Sequence, residues 1–189
     1  MSNDCSNHKK IKTNLHKKNL RSNPHPNSNN FILLFCDFTM DYKINTFLLE
    51  NHETKDIHDG HTNGSLVPVW RDWDNLLGVH PKMVYFTTIN KGERKGPHLH
   101  ITRHYYFLCI KGKVIFVIKD PSGKYHEIES SEEKPVLIEV PKNFASSHIN
   151  ISNDTSFILA LANPAWHPDD KDEHNVTFDD YDWNKWSKT

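Results

Sequence analysis

Short runs of β-branched and aromatic residues, parted by turn signals about every 8–12 residues, predict an all-β barrel or sandwich. Two further observations agree with it. No long stretch carries a 3.6-residue apolar period, and aliphatic residues cluster only after a polar leader.

Taken in order, residues 43–49 are apolar-rich, and residues 66–70 follow a turn signal at Thr62-Asn63-Gly64. Residues 84–89 are β-branched and aromatic and lead into a charged turn over residues 90–95. Residues 105–110 and 114–118 flank Lys111-Gly112-Lys113, which reads as a hairpin turn. Asp120-Pro121-Ser122-Gly123 is a second turn. Residues 136–140, 148–151 and 157–162 complete the series.

The chain has 189 residues, which favours one domain with an extension. Asn, Ser, Lys and His dominate the first thirty or so residues, which bury too little apolar surface to offset ordering entropy. Residues 1–40 are therefore expected to be a disordered leader, and residues 41–189 the folded domain. The basic cluster over residues 8–18 reads as a solvated tail rather than a nucleic-acid patch. A formal net charge of −1 asks for neither nucleic acid nor an anionic membrane. Three cysteines without a CxxC pair suggest no disulfide framework and fit a reducing cytoplasm. The longest apolar run, residues 31–36, is too short to span a bilayer and lies too far in for a secretory signal.

Of the 14 histidines, His98 and His100 stand out. Two residues apart on a strand, their side chains share a face, and in a small barrel one face of each strand lines the interior. Imidazole serves there as a base or a metal ligand.

The run Gly92 to His100, with Gly112 later, resembles the first cupin motif, a glycine and an HxH pair followed by an acidic residue and a glycine. Pro141-Lys142-Asn143-Phe144-Ala145-Ser146 and then Asn150 resemble the second. The resemblance implies a jelly-roll barrel. Tyr105 stands where the acidic metal ligand belongs and Ser146 where the third histidine belongs. A transition-metal site needs three or four placed ligands, and His104 and His148 are out of register as substitutes, so no catalytic metal or other cofactor is expected.

Among metal-free cupins, the sequence resembles the dTDP-4-dehydrorhamnose 3,5-epimerases and the sugar 3,4-ketoisomerases across residues 43–186. Lys95-Gly96-Pro97-His98-Leu99-His100 is similar to the epimerases' RGLH and closer to the ketoisomerases' RGxHxH. The stretch from Trp166-His167-Pro168 to Trp183 resembles the epimerases' closing motif. The resemblance implies a metal-independent isomerase or epimerase of a nucleotide-activated 4-keto-6-deoxy sugar, dTDP-linked, acting as a cytoplasmic homodimer through strand exchange.

By the same resemblance His98 is the base, His100 the acid that returns a proton, and Asp180, with Asp179 second, the carboxylate that orients the base. Tyr105 replaces the epimerases' lysine and offers the enolate a hydrogen bond without positive charge. Arg103, two residues earlier, supplies charge. Arg71, Lys95 and Arg103 are the candidates for the diphosphate, since phosphate favours Arg and Lys donors. Two alternatives stand beside this reading: a non-catalytic sugar-binding cupin, and a metal-dependent cupin using His98, His100 and His148.

Overall fold

The computed structural model describes residues 42–73 and 75–186. The expected leader lies outside them. The described residues form strands β1 (Thr46–Leu48), β2 (His52–Lys55), β3 (Thr62–Leu66), β4 (Met83–Ile89), β5 (Arg94–His100), β6 (His104–Lys111), β7 (Lys113–Lys119), β8 (Tyr125–Ser131), β9 (Val136–Val140), β10 (Ala145–Asn150), β11 (Ser156–Asn163) and β12 (Glu173–Asn175). A single 3₁₀ turn (Trp183–Trp186) follows among the described residues.

Two five-stranded antiparallel sheets face one another in a cupin jelly roll, and β2 and β3 form a separate hairpin. The first sheet runs β1-β9-β6-β11-β4 and the second β12-β5-β10-β7-β8. Between them lies a core that includes Tyr105, Phe107, Cys109, Val114, Phe116, Ile118, Ile138 and Ile158.

The central strands read as continuous apolar runs because both of their faces are covered. Tyr106 and Leu108 of β6 point outward, under a cover from Val67, Val69, Leu76, Leu77 and Val79. Ile115 and Val117 of β7 point outward beneath Phe178 and Tyr181. Residues 67–70 are thus a cover over the first sheet and not the expected strand.

Two turn expectations also change. Lys111-Gly112-Lys113 is not a hairpin, since β6 and β7 belong to different sheets. Gly112 forms the corner at φ 79°, where a Cβ would lie 2.5 Å from Ser156 Oγ. Thr62-Asn63-Gly64 lies within β3, and the turn precedes it, closed by Gly60 N donating to Asp56 O at 3.0 Å. The 120–123 turn is as expected: it joins the paired strands β7 and β8, and Asp120 Oδ1 accepts from Ser122 N at 2.9 Å. No helix among the described residues is long and apolar enough to cross a membrane.

Candidate active site

The HxH pair reaches the space between the sheets through the local build of β5. Gly96, at φ 80°, has a backbone conformation that L side chains rarely adopt, and a Cβ there would lie 2.7 Å from Ser146 O on β10. β5 therefore runs against β10, with His98 opposite Ser146 and Lys95 opposite His148. A register shift falls between Ser146 and His148, where Ser147 Oγ donates to Lys95 O at 2.8 Å.

His98, His100, Lys95 and Tyr105 meet in one pocket of about 160 Å³. Tyr85, Thr87, Phe107, Ser146, His148 and Glu173 complete its wall. Lys95 Nζ donates to Thr87 Oγ1 across the two sheets. A second recess of about 260 Å³, lined by Met83, Tyr85, Arg103, Tyr105, Trp166 and Glu173, shares three of these residues.

Each histidine of the pair has a carboxylate beside it, and both carboxylates come from the tail. After β11 the chain returns to lay β12 along β5, pairing Glu173 with His100 and Asn175 with His98. His100 Nδ1 lies 2.9 Å from Asp172 Oδ2. Asp172 Oδ1 accepts from Thr102 N at 2.5 Å and from Thr102 Oγ1 at 2.6 Å. Burial works to raise the Asp172 pKa, but the Thr102 and His100 hydrogen bonds outweigh it and hold it at about 2. An ionised carboxylate only accepts, so His100 Nδ1 carries the proton and Nε2 is bare. Burial also lowers the His100 pKa, against the pull of Asp172, and keeps the ring neutral. His98 Nδ1 stands 3.1 Å from Glu173 Oε1, in a geometry that makes no hydrogen bond.

Arg103 sits behind this pair, 2% exposed. It pairs with Asp170 and, at 3.4 Å, with Asp172, and it donates to Tyr105 Oη at 3.3 Å. Burial raises the Tyr105 pKa against the opposing effect of Arg103, and burial with the neighbouring Tyr105 raises that of Tyr85 further. Both phenols remain protonated donors at neutral pH.

The other sequence candidates lie elsewhere. Asp180 accepts from Tyr125 Oη at 2.6 Å and pairs with Lys119 at 3.1 Å, so Asp172 and Glu173, not Asp180, face the histidines. Arg71 stacks its guanidinium 4.7 Å from the Trp73 ring centroid, beside a separate hollow of about 270 Å³. Sequence reasoning missed Tyr85, Asp172 and Glu173. The one signal for the carboxylates was the acidic run from Asp169 to Glu173, which does not say which of its members faces inward.

His148, set aside in sequence as out of register, lines the same pocket. The ligand nitrogens of His98, His100 and His148 are not all within 4.8 Å of one another. Among the described residues, the metal-capable group whose ligand atoms all lie within 4.8 Å of one another is Asp56, Asp59 and His61, on the β2–β3 turn.

A double-sheet barrel with an HxH pair in a half-closed pocket defines a cupin-type protein. The family profile described as FdtA, WxcM-like, C-terminal, matches residues 48–182, and the chain belongs to that family. No curated protein matches the sequence. A dTDP sugar isomerase from Desulfovibrio desulfuricans is similar in structure at 12% identity and TM-score 0.62, over 72% of this chain and 85% of that one. QdtA, a sugar 3,4-ketoisomerase from Thermoanaerobacterium thermosaccharolyticum solved with TDP, is similar at 19% identity and TM-score 0.56, over 78% and 93%. The epimerase RmlC from Legionella pneumophila, solved with dTDP-4-keto-L-rhamnose, is similar at 19% and TM-score 0.60, over 72% and 74%. The chain spans only 29% of the capsular polysaccharide assembling protein CapF from Staphylococcus aureus, at 19% identity over 51% of this chain and TM-score 0.49. At these identities the likeness to the dTDP sugar isomerase, QdtA and RmlC establishes the fold alone.

Proposed function

We propose that this protein is a metal-independent isomerase or epimerase of a nucleotide-activated 4-keto-6-deoxy sugar. The observation that carries the reading is the Asp172–His100 pair, whose bare Nε2 is available in a pocket that also holds His98 and two protonated phenols. Family membership supports it, as do the names of proteins of the same fold that work on dTDP sugars.

A 4-keto group acidifies the protons on its neighbouring carbons because the carbanion delocalises onto oxygen. The site then needs a base, a donor for the enolate oxygen and an acid to return the proton. His100 is the base, oriented by Asp172, which stabilises the imidazolium that forms. This divides the roles differently from the sequence reading, because the oriented histidine is His100 and not His98. His98 or the Tyr85 and Tyr105 phenols return the proton. Lys95, exposed at the rim, is the cation for the diphosphate. A pocket of about 160 Å³ is smaller than the usual 300–1,000 Å³ ligand site. It suits the sugar ring, with the diphosphate and nucleoside directed outward.

The chain acts as a homodimer in this reading. Val84 and Phe86, 57% and 65% exposed, lie on the outer face of the edge strand β4, and Phe86 stacks on Phe157 at 6.3 Å. An apolar edge of this kind invites a second copy.

The test is solvent exchange. The protein is incubated with dTDP-4-keto-6-deoxyglucose in deuterated water containing EDTA, and the sugar protons are followed by NMR. Deuterium entering beside the ketone, and lost with His100→Ala, supports the reading; binding without exchange overturns it.

A further inference from the structure

His148 is the imidazole that the proposed chemistry leaves unused, and its surroundings are specific. It is 8% exposed, and its ring centroid lies 4.5 Å from Phe107 and 4.7 Å from Phe116, edge-on or tilted to each. The same ring lines the pocket with His98, His100 and Tyr105. Its Nε2 is buried and has no hydrogen-bond partner among the described residues. A buried polar atom of that kind is costly to leave unpaired. It is also the chain's own departure from the pattern its second motif resembles: Ser146 leaves the expected histidine position small, and His148 presents a ring two residues further along the same strand face.

Its protonation state fixes what it offers. Burial lowers its pKa to about 3, helped by the neighbouring His98, Lys95 and His100. The ring is neutral throughout the working range of an enzyme, with one N–H and one bare nitrogen. A neutral imidazole is a competent hydrogen-bond donor to an enolate oxygen, because it brings no proton acidic enough to be surrendered to it.

The geometry of the sugar selects the oxygen. In a pyranose ring C1 and C4 are opposite each other. With the nucleotide diphosphate on C1 directed outward, C4 and its oxygen point to the inner wall, where His148 stands. Resting on the isomerase reading above, we propose that His148 contacts the C4 oxygen of the substrate and donates a hydrogen bond to it as it becomes an enolate. The proton taken by His100 leaves its bonding pair in the new C=C bond, the C4=O pair moves onto oxygen, and the His148 N–H holds that oxygen without transferring its proton. Return of a proton to carbon restores the ketone.

Two readouts on the full chain test this. The imidazole ¹⁵N and N–H resonances of wild-type protein, with His148 assigned from its loss in His148→Phe, are followed on addition of dTDP-4-keto-6-deoxyglucose. The expected result is a downfield shift of the His148 N–H proton together with changes at His98 and His100. Changes at His98 and His100 with His148 unmoved overturn the role of His148 and leave the site reading intact. No change at any of the three overturns both. In the exchange assay, His148→Phe, whose ring matches the Phe107 and Phe116 cage, is expected to lower kcat about 100-fold or more with little change in KM. Exchange within about threefold of wild type in the folded variant overturns the proposal.

Discussion

His100 Nδ1 and Asp172 Oδ2 stand 2.9 Å apart across 72 positions of sequence, and the carboxylate is 1% exposed. Thr102 fills the other carboxylate oxygen with two hydrogen bonds, so Asp172 has one orientation and holds the imidazole in one tautomer. Asp172→Asn is expected to preserve the shape and release the tautomer. Deuterium exchange into the keto sugar should fall about 100-fold or more, with binding of the nucleotide retained. Exchange at the wild-type rate would show that another group orients the base.

Arg103 was a sequence candidate for the diphosphate, but its guanidinium is buried against Asp170 and Asp172 and supports Tyr105. Arg103→Met leaves two carboxylates without their cation in a poorly solvated place. The expected cost is about 3–5 kcal/mol, the usual price of removing one partner from a buried pair. Urea unfolding measures it; a loss below about 1 kcal/mol would mean that water already screens the pair.

Stability should fall on the acid side. His148 titrates near 6.5 when unfolded and at about 3 when folded, so between those values the unfolded chain binds a proton that the folded chain refuses. Its neutral form is fully compatible with folding above pH 6.5, and stability is lost as the pH falls below that, at up to about 1.4 kcal/mol per pH unit. The lowered pKa of His100 acts in the same direction. Asp172, at about 2 folded against 3.8 unfolded, adds stability above 3.8 that is lost as the pH falls towards 2. The urea midpoint should change little from pH 8 to 7 and decline below 6.5. A midpoint that rises on acidification from 6.5 to 5 would contradict the buried neutral state of His148.

The outer face of β4 carries the expectation of a dimer. Phe86→Glu places a charge where a second copy would cover the ring stacked on Phe157. Sedimentation should show a dimer for the wild type and a monomer, still folded, for the variant. An unchanged sedimentation coefficient would move the interface to another face.

Several features of the molecule were legible in the chain itself. Strands β4, β6, β7, β9 and β11 follow from β-branched and aromatic runs, since those residues pack best on a pleated surface with at least one face buried. β8 and β12 were missed because Tyr125–Ser131 mixes charged and hydroxyl residues with a single isoleucine, and Glu173–Asn175 is wholly polar. Such strands are recruited by neighbours already in place.

The sequence alone determined the all-β class and the shared face of His98 and His100, because a strand repeats every two residues whatever it packs against. It also showed that Ser146 stands in the expected histidine position. Only the tertiary structure decided that Asp172 rather than Asp180 meets the pair, that β6 and β7 part into different sheets at Gly112, and that His148 turns its ring into the pocket. Each of these depends on the register between strands far apart in the chain. That register is set by which faces bury together, and no local run of residues encodes it.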